Sequence, residues 1–118
     1  MKIQQIRNAT IIIEYAGKRF LVDPMLGEKG SFAPFPLSHH QELRNPLYDL
    51  PMKAEVIVCN IDCVLLTHLH LDHIDDAAYK LLNKQVHIFV QDEQDRNTVM
   101  SHGFTHVEII GEDSRFGD

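Results

Sequence analysis

Near the start of the chain, residues 3–7 and 9–15 are rich in β-branched side chains, and after Ala16-Gly17-Lys18 strand character resumes over residues 19–22. The pattern predicts strands, and the small turn residues predict an antiparallel hairpin opening a sheet. Asp23-Pro24 stops it, because proline has no N–H for a ladder and restricts the residue before it. Over residues 25–53 the periodicity is lost, with Gly27, Gly30, Pro34, Pro36, Pro46 and Pro51 interrupting every stretch. A long irregular loop is predicted there; such loops in compact domains are commonly functional, with Phe32, Phe35 and Tyr48 as apolar lining for a substrate cleft. Residues 54–60 fit a short helix or a strand equally.

From residue 61 onward the pattern is regular again. The continuous apolar run at residues 63–66 predicts a strand covered on both faces. Asp75 and Asp76 supply an N-cap and an acidic first turn, and Ala77, Ala78, Leu81 and Leu82 follow at helical spacing. Residues 86–90 read as a strand, residues 93–102 as a helix stopped by Gly103, and residues 106–110 as a further strand. This β-α-β-α-β order predicts an α/β fold, a mixed sheet flanked by helices. It also puts the end of the central strand at the sheet edge where such folds place their sites.

Length and composition bound the picture in four places. At 118 residues the chain is one domain at most. The net charge of −6 argues against nucleic acid as a partner, although a divalent cation would make a local site positive and leave room for an anionic small-molecule substrate. No run of about eighteen apolar residues exists to span a bilayer and no secretory apolar segment opens the chain, so the expectation is a cytoplasmic protein with no membrane span. Cys59 and Cys63 form no CxxC pair and are read as buried, reduced thiols outside any metal site.

The densest chemistry follows the central strand, in Thr67-His68-Leu69-His70-Leu71-Asp72-His73. In extended backbone His68 and His70 point the same way, and a change of direction after them would aim Asp72 and His73 at a second nearby point. Imidazole and carboxylate donors without thiolate favour zinc first, with manganese or iron as alternatives, and the geometry suits two metals better than one. The bland alternative, a solvated His-rich strand end, leaves the spacing unexplained. His39-His40 is read as a solvated pair, and His87, His102 and His106 sit in regular elements that need no metal. Asp23 reads either as a strand-end turn former or as support for a ligand histidine.

These residues carry a resemblance. The run from Thr67 to His73 resembles the HxHxDH motif of the metallo-β-lactamase-fold hydrolases, with the apolar strand in front of it. Upstream, the run from Ala9 to Tyr15, the Ala16-Gly17-Lys18 turn and Arg19-Phe20-Leu21-Val22-Asp23-Pro24 look most like the branch holding ascorbate-phosphate lactonase-like and N-acylphosphatidylethanolamine phospholipase-like enzymes. The resemblance implies a four-layer αββα fold, of which residues 1–118 form a single, partial domain covering the first half. By carry-over His68 and His70 ligate one metal and Asp72 and His73 the other. Asp72 also orients the shared hydroxide, and Asp23 lies close enough to support a ligand. The family's remaining ligands are expected beyond Asp118.

The function implied is a metal-dependent hydrolase cleaving an ester, lactone, amide or phosphodiester bond through a metal-bound hydroxide. The alternative is a non-catalytic, truncated metal-binding or interaction module. A half-sandwich also leaves an apolar sheet face in water, here expected from residues 11–13, 64–66 and 88–90, so self-association or a separate C-terminal half is expected as partner.

Overall fold

The structure is a computed structural model that describes residues 1–30, 46, 48–70 and 73–116. Its centre is a six-stranded mixed sheet whose strands lie side by side in the order in which they occur in the chain. Strands β1 (Lys2–Arg7), β2 (Thr10–Tyr15) and β3 (Lys18–Val22) form an antiparallel meander. The link between β2 and β3 is a two-residue turn with Ala16 at φ 52° and Gly17 at φ 77°, the left-handed pair that matches the twist of the flanking strands.

Beyond β3 the pairing turns parallel, through β4 (Cys63–Leu65), β5 (His87–Val90) and β6 (Val107–Ile109). Parallel neighbours need crossovers, and each carries a helix: α1 (Ala54–Ile57), α2 (Asp76–Leu81) and α3 (Glu93–Ser101). The ambiguous residues 54–60 thus hold a single helical turn, with Ile57 buried and Val56 exposed. Asp75 caps α2 and Asp92 caps α3, each accepting from the backbone N–H three residues on. After α3 the chain turns through Gly103 at φ 99°, the left-handed conformation that closes a helix most easily on glycine.

The register shows which side chains make the core. Ile12, Leu21, Val64, Ile88 and Val107 align across five strands and join one buried cluster with Ile57, Ala78, Tyr79 and Val99 from the three helices. Alternation turns Ile11, Ile13, Phe20, Val22 and Leu65 to the opposite face, where each is half-buried. The expected open apolar face is therefore corrected in its membership: Ile12, Val64, Ile88 and Val90 face the helices. Phe116 lies against the other face, 5.7 Å from the Phe20 ring and 5.4 Å from His87.

Two further expectations are settled here. Cys63 is buried but Cys59 is exposed, because α1 ends before it. Tyr48, expected to line a cleft, is 72% exposed, and what holds its segment is its backbone carbonyl, which accepts from Arg7. Phe32, Phe35, His39 and His40 lie outside the described residues. Among the described residues no helix is long and apolar enough to cross a membrane.

Candidate metal centre

Because β3 and β4 run parallel, their carboxyl ends reach the same edge of the sheet, and the residues that follow each strand meet there. Asp23 follows β3. Its N–H donates to Leu65 O at 3.0 Å, extending the ladder by one bond, and its φ of 45° then swings the chain out of the sheet. A left-handed conformation is unfavourable for a residue with a Cβ, though aspartate tolerates it better than most. Thr10 holds it in place: its buried hydroxyl donates to Asp23 O at 2.6 Å and accepts from Met25 N–H at 2.9 Å.

The histidine motif begins one residue after the last ladder bond of β4, in which Leu66 N–H reaches Phe89 O. The strand stops earlier than the pattern predicts, and His68 and His70 stand in the loop beyond it. The reason is that Thr67 N–H is taken by the Asp23 side chain, at 2.8 Å to Oδ1. The Thr67 hydroxyl donates to Asp23 Oδ2 at 2.6 Å. The chain then folds back so that His73 N–H and Ile74 N–H both donate to His70 O.

This turn gathers the imidazoles. The His68 ring lies 4.8 Å from that of His70 and 3.6 Å from that of His73. His73 Nδ1 is 2.8 Å from Asp23 Oδ2, in a pair that is almost wholly buried on the aspartate side. A carboxylate only accepts, so the proton in this hydrogen bond is carried by Nδ1. The same logic reaches His68. The single proton of the Thr67 hydroxyl is committed to Asp23, so its contact with His68 Nδ1 at 3.2 Å is one in which the histidine donates. In the neutral form of either ring the metal-binding lone pair is then on Nε2, the arrangement in which a hydrogen-bonded imidazole binds a metal.

Asp72, the remaining residue of the motif, lies outside the described residues. Among those described, the three rings pack against one another and no three His, Cys, Asp or Glu side chains are grouped as a cation would need. The donors fit a divalent metal by chemistry and by tautomer, and the ring packing does not yet form a cage. His87, His102 and His106 are elsewhere: His87 lies 3.6 Å from Glu108, His102 stacks on Tyr79 and His106 contacts Thr105. Sequence reasoning gave no role to Thr10, though it is a polar residue directly in front of the apolar run Ile11-Ile12-Ile13. It gave none to Thr67 either, although Thr67 heads the motif itself.

A family model described as the metallo-beta-lactamase superfamily matches residues 5–115. The chain belongs to that superfamily. Relatives within reach include UPF0173 protein YddR of Bacillus subtilis (strain 168), 50% identical over 116 residues, spanning 98% of this chain and 46% of that protein. The N-acyl-phosphatidylethanolamine-hydrolyzing phospholipase D 1 of Caenorhabditis elegans is 33% identical over 86 residues, 70% of this chain and 22% of the enzyme. Among solved structures, isothiocyanate hydrolase from Delia radicum gut bacteria superposes with a TM-score of 0.92 at 43% identity, over 98% of this chain and 44% of that one. A possible metal-dependent hydrolase from Veillonella parvula DSM 2008 gives 0.93 at 37% identity, over 97% and 44%. The chain spans less than half the length of these superfamily relatives. Its sheet with helices matches the metallo-β-lactamase fold over the part it covers, and membership implies a divalent metal without naming which.

Proposed function

We propose that this chain carries the histidine-bearing part of a metal-dependent hydrolase site, with His68, His70 and His73 holding a divalent cation, zinc in first place, together with Asp72. The observation that supports this reading is the Asp23–Thr67 network, which engages Nδ1 of both His68 and His73, so that Nε2 is the metal-binding nitrogen of each neutral ring. A divalent cation held there would polarise a carbonyl or phosphoryl oxygen and lower the pKa of a water. The chain's own part is to bind and orient: Asp23 keeps the Nδ1 proton of His73 in place, Thr67 passes the same restraint to His68, and Asp72 orients the attacking water.

The substrate proposed is a small molecule with an ester, lactone, amide or phosphodiester bond. The 43%-identical isothiocyanate hydrolase adds an isothiocyanate, whose central carbon is a comparable electrophile, to that range. The test is elemental analysis of metal per chain, followed by turnover of activated esters, a lactone, a phosphodiester and an allyl isothiocyanate by the zinc-loaded chain. Zinc retained by the native chain and lost in His68→Ala, with turnover of at least one substrate, supports the reading, and a chain that takes up no zinc overturns it. Zinc bound without any turnover would support the alternative instead, a non-catalytic metal-binding module.

A further inference from the structure

We propose that Asp75 is a positioning residue for His73, an inference that rests on reading His73 as a metal-holding residue. Capping a helix needs one acceptor oxygen, and Asp75 uses both of its oxygens while 5% exposed. Its Oδ1 accepts from Ala78 N–H at 3.1 Å, the cap of α2, and from Leu26 N–H at 3.0 Å. Its Oδ2 accepts from Gly27 N–H at 2.7 Å. One carboxylate therefore ties the segment entering α2, two residues after His73, to the segment leaving β3, three residues after Asp23.

Arg7 holds the same segment by its carbonyls. Its Nη2 donates to Met25 O at 2.8 Å and Gly27 O at 2.7 Å, and its Nη1 to Tyr48 O at 3.0 Å. Burial lowers the pKa of this guanidinium, and the negative charges of Asp75 and Asp49 raise it back towards its usual range. The loop after Asp23 is thus clamped on its N–H side by Asp75 and on its C=O side by Arg7. Releasing the Asp75 side lets the two segments drift apart, and the 2.8 Å hydrogen bond between Asp23 and His73 is what joins them at the site.

Asp75→Ser separates the two jobs, since serine caps a helix well but is too short to reach Leu26 and Gly27 as well. Asp92→Ala is the control: it removes the cap of α3 and leaves the site untouched. Nitrogen-15 NMR of the metal-free full chain reads the His73 ring directly. In the native chain the Nδ1-protonated form is expected. In Asp75→Ser the two ring forms should average, and zinc affinity should fall by about tenfold, as it does when the hydrogen-bond partner of a metal-holding histidine is disturbed. Asp92→Ala should lower thermal stability and change neither readout. If Asp75→Ser keeps the native His73 signals, or if Asp92→Ala shifts them equally, the proposal is overturned. Should Asp75→Ser not fold, Asp75→Asn keeps the shape with a single acceptor oxygen and must show the same His73 shift. A native chain that bound no zinc would remove the proposed function, while the His73 signals would still decide the role of Asp75.

Discussion

Asp23 Oδ2 lies 2.8 Å from His73 Nδ1 although 50 residues separate them in the chain. Asp23 also accepts twice from Thr67, so one buried carboxylate organises three donors around the motif. Asp23→Asn retains the shape and tolerates the left-handed backbone, but its amide offers one acceptor oxygen in place of two. Zinc affinity is expected to fall by roughly 10–100-fold with the fold intact. Competition titration against a chromophoric chelator, with circular dichroism alongside, checks both halves of this expectation, and unchanged affinity would refute it.

Thr10 is fully buried and makes two hydrogen bonds that fix the backbone on either side of Pro24. Thr10→Val preserves volume and leaves Asp23 O and Met25 N–H without that partner. A loss of about 2–3 kcal/mol is expected from stranding buried polar groups. Urea unfolding measures it; a loss below about 0.5 kcal/mol would show that the segment finds other partners.

The two thiols should behave differently. Burial, helped by the negative charges of Asp62 and Glu108, pushes the Cys63 thiol up to about 12, whereas Cys59 is exposed. At pH 8, iodoacetamide should label Cys59 and spare Cys63 in the native chain, and label both in urea. The sign for stability follows. The folded state keeps its proton where the unfolded thiol has lost it, so stability is full below about pH 9 and declines as the pH rises from there towards 12. A Cys63→Ala chain should show less of this alkaline decline.

The sheet face carrying Ile11, Ile13, Phe20, Val22 and Leu65 has its helices on the other side, and we propose that it mediates self-association. Light scattering of the native chain is expected to give a mass above that of a monomer. Ile13→Glu, on that face and opposite Phe20, should shift it towards the monomer. A native chain that stays monomeric at high concentration contradicts the idea.

Much of this architecture is legible in the chain because alternation and capping are local. Residues 10–15 show their strand through a β-branched run, and Asp75 marks the start of α2 by its position alone. What alternation cannot give is which of its two faces the helices cover, so Ile12 and Ile13 look equivalent until the register is known. The early end of β4 is hidden for a similar reason: Thr67 N–H leaves the ladder for a side chain 44 residues away. Asp75 shows its cap in the sequence, while its bonds to Leu26 and Gly27 span 48 or 49 residues and leave no local trace.

The strict order of the strands, each hydrogen-bonded to its neighbour in sequence, bears on how the molecule is made. The β1-β2-β3 meander can assemble from closures of a few residues as soon as it is synthesised, well before α2 exists. β4 must wait for the excursion between Val22 and Cys63, the longest closure in the sheet, and closing a long loop costs more entropy than closing a hairpin. Asp23 follows β3 and Thr67 follows β4, so their hydrogen bonds latch this pairing as it forms. A stalled ribosome exposing only the first three strands should already hold a protease-resistant meander, and the motif would become ordered only when β4 docks.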